Sequence, residues 1–212
     1  MQKEGLVAVI AIAMFLFAVY NAVTLPPSPT KQLKNNYRII FFHLPSAITS
    51  FVAFTVTLIS SILYLIKGDH RYDLISKNSA KGGFFLITGA LISGSIWANV
   101  AWGSYWNWDP RETTVLMLWF VYAAYFALRE SIETPADKAR VSSIYAIFAY
   151  ITIPLAYIST RIFFSLHPQV AEVDVEIGMP LGIGILSFIL LLYAYVSVNY
   201  RIDRIEEVML GE

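Results

Sequence analysis

The sequence predicts an all-α integral membrane protein with six transmembrane helices, both termini cytoplasmic, and an aromatic binding segment on the outer face between helices 3 and 4. Three observations carry that expectation. Of 212 residues, 57% are hydrophobic and only 14% charged, against about 25% charged in an ordinary water-soluble domain. The apolar residues fall in long blocks, which is what a bilayer demands of a spanning helix. The basic residues, in turn, are distributed unevenly over the short loops between those blocks.

The blocks are 5–24, 39–66, 82–102, 113–128, 141–163 and 179–200. Crossing the hydrocarbon takes roughly 17–20 residues. The fourth block is the shortest and spans best if the aromatics before it sit at the interface. The second is longer than needed, so its first turn belongs at or outside the headgroups. The first exceeds the usual 7–15 apolar residues of a signal peptide, and no small-x-small site follows it before Pro26-Pro27, so it reads as a retained span. No internal repeat, low-complexity tract or long linker breaks the chain, which makes 1–212 one domain.

With the N-terminus inside, ten of the 15 basic residues face the cytoplasm: Lys3, Lys67, Arg71, Lys77, Lys81, Arg129, Lys138, Arg140, Arg201 and Arg204. Lys31, Lys34, Arg38, Arg111 and Arg161 remain outside, where topology does not account for them. The formal net charge is zero, so no global field points to nucleic acid or to an acidic partner. There is no cysteine. That excludes disulfides, iron–sulfur ligation and covalent heme attachment through Cys-x-x-Cys-His. No Walker-type Gly-x-x-x-x-Gly-Lys-Ser/Thr is present either, so any ATP use belongs to a partner. No feature points to an enzyme.

Three histidines remain. His70, in Lys67-Gly68-Asp69-His70-Arg71, reads as a solvated residue of an inner loop. His43, in Arg38-Ile39-Ile40-Phe41-Phe42-His43-Leu44-Pro45, lies at the outer end of the second span. His167, in Arg161-Ile162-Phe163-Phe164-Ser165-Leu166-His167-Pro168, lies just beyond the outer end of the fifth. Either one alone reads better as an interfacial histidine with a local hydrogen bond. Two of them, reaching the same membrane face in the same apolar setting, suit bis-histidine ligation of heme iron.

Between them lies Trp102-Gly103-Ser104-Tyr105-Trp106-Asn107-Trp108-Asp109-Pro110-Arg111-Glu112-Thr113, preceded by Trp97. Four of the five tryptophans fall between positions 97 and 108. An aromatic belt would scatter such residues over all helix ends. If the segment is helical, Trp102, Trp106 and Asp109 share a face, forming a flat aromatic shelf with an arginine at its edge. Such a shelf suits a large planar ring, and the arginine suits a carboxylate such as a propionate. Gly89, Ser93 and Gly94 read instead as a close helix-packing face.

Trp102-Gly103-x-x-Trp106-x-Trp108-Asp109-x-Arg111-x-Thr113 resembles the tryptophan-rich signature of the heme-handling membrane proteins of cytochrome c biogenesis, and within them the CcmC type. His43 before the signature and His167 after it extend the resemblance over nearly the whole chain. The larger CcmF and CcsA types also carry histidines inside their spans, which this sequence lacks. The resemblance implies that His43 and His167 are axial ligands of non-covalently held heme b. It implies that Trp97, Trp102, Trp106, Trp108 and Asp109 form the heme-binding segment, and that Arg38 and Arg111 meet the propionates. It also implies handover to a CcmE-like heme chaperone, beside a CcmA/CcmB-like ABC transporter and a CcmD-like small membrane protein. Arg161 reads equally as a third propionate contact or a snorkelling residue. Glu172, Asp174 and Glu176 read as a solvated loop or as a docking surface for the acceptor. Two other classes stay open from the residues alone. One is a bis-histidine electron-transfer membrane subunit; the other is a cofactor-free transporter-assembly subunit.

Overall fold

The computed structural model describes residues 2–26, 35–167 and 175–210, and every regular element among them is helical. In chain order these are α1 (Gln2–Thr24), a 3-10 turn (Asn36–Ile39), α2 (Ile40–Lys67), α3 (His70–Trp102), α4 (Pro110–Glu130), α5 (Pro135–Ala149), α6 (Thr152–Ile162) and α7 (Val175–Leu210). Five stretches among the described residues are long and apolar enough to cross a membrane: Lys3–Thr24, Asn36–Lys67, His70–Trp102, Pro135–Ile162 and Ile177–Met209. With α4, whose 21 residues are about 31 Å long, six helical segments make up the bundle. The expected fourth span is the one that composition alone does not carry, because Arg111, Glu112, Arg129 and Glu130 sit at its ends.

The expected fifth span is a broken helix. Pro154 has no N–H for the Tyr150 carbonyl, which is reached instead by the Ile153 N–H at 3.0 Å. Tyr150 and Ile151 keep right-handed helical dihedrals, so α5 and α6 continue one pass. The connection expected between 66 and 82 is mostly helix. Gly68, at φ +67, caps α2 with its N–H on the Tyr64 carbonyl. Asp69 caps α3 by accepting the Arg71 N–H. Two residues therefore make the turn, and His70 is the first residue of α3 rather than part of a loop. Its Nε2 lies 2.7 Å from a Glu207 carboxylate oxygen.

The core lies between α2, α3, α4 and α5. Leu118, Tyr122, Tyr125 and Arg129 are the buried residues of α4, spaced as one helix face requires. Phe54 stacks on Tyr122 with ring centroids 3.7 Å apart, and Ile87, Ala90 and Ala146 close around them. Gly83 lets α2 and α3 approach, since a Cβ there would stand 2.8 Å from the Phe54 ring. At the end where α3 begins and α4 finishes, Arg129 holds the Asp73 carboxylate with two hydrogen bonds of 2.7 and 2.6 Å. Lys77 and Asn78 meet Asp203, and Arg201 meets Glu4, so α7 is tied at this end to both α3 and α1. The opposite end gathers the start of α2, the end of α3, the start of α4 and the end of α6.

Candidate functional site

His43 stands in the first turn of α2, half-buried against α3. Its Nδ1 is 3.0 Å from the Ala90 carbonyl and 3.2 Å from Ser93 Oγ. A carbonyl only accepts, so Nδ1 carries the proton, and in the neutral tautomer Nε2 keeps its lone pair. Ser93 gives its own proton to the Gly89 carbonyl at 2.7 Å. Gly94 makes room for the ring: a Cβ there would stand 2.8 Å from His43 Cε1. The Gly89, Ser93 and Gly94 face is thus a packing face, and what packs on it is the turn carrying Phe42 and His43.

The tryptophan-rich segment is not helical. Helix α3 stops at Trp102, because Gly103 turns left-handed at φ +82 and its N–H reaches the Asn99 carbonyl. Residues 103–109 form a loop knotted by side chains. Ser104 Oγ donates to the Trp106 carbonyl, Asn107 Nδ2 to the Ser104 carbonyl, and Ser95 Oγ to the Tyr105 carbonyl. The expected shared face of Trp102, Trp106 and Asp109 is therefore replaced by a turn. Trp108 sits at φ +56, the one non-glycine with positive φ among the described residues, and is 74% exposed. Trp106 and Trp108 meet edge to face with centroids 5.9 Å apart. Trp97 lies lower on α3, packed on Ala22, Tyr37, Phe41 and Leu181 rather than on the other tryptophans.

Asp109 ends the loop and starts α4, with Pro110 at the first helical position. Its carboxylate is buried and accepts four hydrogen bonds. Oδ1 takes the Arg111 N–H at 2.9 Å and His167 Nδ1 at 2.8 Å. Oδ2 takes Ser165 Oγ at 2.7 Å and the Leu166 N–H at 2.6 Å. Burial pushes this carboxyl up, but the Ser165 hydroxyl, the two backbone N–H groups and His167 together hold it below the usual carboxylate range. Burial also holds the His167 imidazole below its ordinary value, against the pull of Asp109. At neutral pH the pair is thus a carboxylate and a neutral imidazole protonated on Nδ1, whose Nε2 makes no hydrogen bond among the described residues. Trp102 packs edge to face on that imidazole at 5.0 Å.

The structure brings His43, His167, Trp102, Asp109 and Arg111 to one end of the bundle, and both His167 and Arg111 are close enough to act electrostatically on His43. The half-buried Arg111 guanidinium makes no hydrogen bond or ion pair among the described residues. Arg38 is committed in part: Nη2 donates to the Leu25 carbonyl at 2.6 Å, while its buried Nε has no hydrogen-bond partner among the described residues. Arg161 is engaged on its own helix, over the Tyr157 ring at 4.0 Å and donating to its hydroxyl at 2.7 Å. Glu172, Asp174 and the side chain of Glu176 lie outside the described residues, as do Lys31 and Lys34. Sequence reasoning read Gly94 as packing without connecting it to His43, and missed Ser165 and Glu112, whose carboxylate accepts the Asn107 N–H at 2.9 Å. The spacing Asp109-x-x-Glu112, with Pro110 between, was the available signal for this helix start.

This end of the bundle fits a planar, carboxylate-bearing metal complex. Among the described residues it offers two imidazoles that each donate from Nδ1, the Arg111 guanidinium and the buried Arg38 Nε without hydrogen-bond partners, and the Trp102 ring beside His167. Residues 2–167 match the cytochrome C assembly protein family. A ccmC-like mitochondrial protein of Marchantia polymorpha, named for cytochrome c biosynthesis, is 33% identical over 177 residues, 84% of this chain and 74% of that protein. Heme exporter protein C of Bradyrhizobium diazoefficiens is 29% identical over 161 residues, 73% of this chain and 61% of its own length. The same-named protein of Paracoccus denitrificans is 36% identical over 107 residues, covering 50% of this chain and 44% of that one. The chain thus spans less than two thirds of either exporter. It belongs to the cytochrome C assembly protein family. Within that family it is a multi-pass membrane protein of the CcmC type, acting in cytochrome c maturation.

Proposed function

We propose that this chain holds heme b, non-covalently and transiently, at the extracytoplasmic face of the cell membrane and delivers it to a CcmE-like heme chaperone. Heme handling in cytochrome c maturation follows from the family and from the named heme exporters. The rest is our reading of the residues. His43 and His167 are the axial ligands. Trp102, Trp106 and Trp108 flank the ring, with Trp97 supporting α3 beneath them. Arg111 meets one propionate, and Arg38 meets the other through its unpartnered Nε. Asp109 acts through His167. A CcmA/CcmB-like ABC transporter and a CcmD-like small membrane protein complete the complex, and the surrounding lipid supplies the apolar wall. No nucleic acid and no catalytic group are involved.

The observation that carries this reading is the matched state of the two imidazoles. Each gives its Nδ1 proton to an oxygen acceptor, and Nε2 makes no hydrogen bond among the described residues. Metal-ligating histidines are prepared in this way, since the outer hydrogen bond fixes both tautomer and ring orientation. Two histidines that merely anchor helices have no need of the same free nitrogen at the same end.

Transfer tests function beyond binding. Heme-loaded protein in detergent is mixed with an apo form of a CcmE-like acceptor, and the heme spectrum of each is followed after separation. Heme moves to the acceptor if this chain is a donor. Heme that stays put while the iron cycles between oxidation states would identify an electron carrier instead.

A further inference from the structure

The two histidines are supported in unlike ways. His43 belongs to a helix and is wedged between α2 and α3, with Gly94 admitting its ring and the Ala90 carbonyl taking its proton. Moving it means moving a helix. His167 lies beyond α6 in a stretch without regular structure, where Phe163 and Phe164 are 63% and 90% exposed. Three hydrogen bonds hold that stretch to the bundle from consecutive residues: Ser165 Oγ, the Leu166 N–H and His167 Nδ1. All three end on the one carboxylate of Asp109. The carboxylate is itself fixed from below by the Arg111 N–H at the start of α4.

We propose that Asp109 is a positioning residue that latches residues 165–167 onto α4, so that His167 is the ligand that opens and closes while His43 stays fixed. This rests on the function proposed above and adds an order to handover. The site opens by releasing the 165–167 stretch from a single carboxylate, and with it one of the two ligands. A negative acceptor suits the task, since charge-assisted hydrogen bonds are shorter and stronger than neutral ones. A side chain with one acceptor oxygen and one donor nitrogen cannot serve three donors on two oxygens.

The test reads opening in two ways. In heme-loaded ferric protein, cyanide binds only when an axial histidine has left, so its binding rate reports how often the site opens. Asp109→Asn keeps the α4 cap, because asparagine caps about as well as aspartate. It should nonetheless bind cyanide about tenfold faster or more, as expected for losing about 1.4 kcal/mol of latch. Ser165→Ala, which removes one of the three bonds, should accelerate binding several-fold. His70→Ala, at the other end of the bundle, should match wild type. In the heme-free protein, hydrogen exchange at the Leu166 and His167 amides should rise in Asp109→Asn, while exchange in the first turns of α2 stays as in wild type.

Equal cyanide rates in wild type, Asp109→Asn and Ser165→Ala would overturn the latch. So would faster exchange at the start of α2 in place of 165–167. If Asp109→Asn is not recovered folded, Ser165→Ala decides alone: a rate above wild type supports the proposal and an equal rate ends it. A wild type that binds no heme would instead remove the function on which the latch rests, while the hydrogen-exchange arm would still test the attachment.

Discussion

At the residue scale, the uncommitted groups carry the most information. Arg111 is a half-buried cation without a hydrogen-bond partner among the described residues, on the face with fewer basic residues. One guanidinium–propionate pair contributes about 1–3 kcal/mol as a charge-assisted interaction. Arg111→Ala should therefore speed heme loss to an external scavenger by about one to two powers of ten. The heme that remains should keep the wild-type spectrum. Arg111→Lys should recover only part of the loss, because an ammonium lacks the planar two-donor fork. Equal rates in all three would remove Arg111 from the site. His43, His167 and Arg111 were legible in the sequence as polar residues in apolar settings at one face. The hydrogen bonds gathered on Asp109 were not, because three of its four partners lie 56 to 58 residues further on, and spacing along a chain does not report such a contact. Trp108 was half legible: its presence in the motif showed, but not its left-handed backbone. That conformation costs about 1–3 kcal/mol in a bulky residue and is held by the loop's hydrogen bonds and the capped helix on either side.

At the scale of elements, hydropathy located the passes well and their edges poorly. Blocks of apolar residues mark where a helix meets lipid, while the helix itself runs on through polar residues that pack on neighbours. Helix α3 begins at His70 and not near 82, since Asp73, Ser76, Asn78 and Ser79 are buried against other helices. Helix α7 has 36 residues, about 54 Å, where about 30 Å would cross the hydrocarbon. The break after α5 went unread within the block 141–163, although Pro154 was its available signal, and the helical shelf was wrong because Gly103 ends α3 before the signature is complete. The Asp73–Arg129 pair joins α3 to α4 with both side chains buried. Removing one member leaves an uncompensated buried charge. Arg129→Met should thus destabilise the protein by about 3–5 kcal/mol, whereas adding Asp73→Leu should restore most of that loss. Thermal unfolding in detergent, followed by circular dichroism, checks both. A single variant as stable as wild type would mean that the pair does not clamp these helices.

For the whole molecule, the sequence reading and the structure meet on an all-helical bundle of six segments, five of them apolar enough to cross a membrane, with the two histidines at one end. The even number of passes, with ten of 15 basic residues expected on one side, predicts that a reporter fused after Glu212 reads as cytoplasmic and one inserted near Tyr105 as external. The reverse pattern would place the histidines on the cytoplasmic face and exclude delivery to an extracytoplasmic acceptor. The central claim is that His43 and His167 together ligate heme iron, and its most direct test is the absorption and electron paramagnetic resonance of ferric, heme-loaded protein in detergent. Wild type and His70→Ala should both show low-spin iron with two nitrogen ligands. His43→Ala and His167→Ala should each turn the iron five-coordinate and high-spin or lose it. Low-spin spectra that survive in both of these variants, or a loss confined to His70→Ala, would contradict the account.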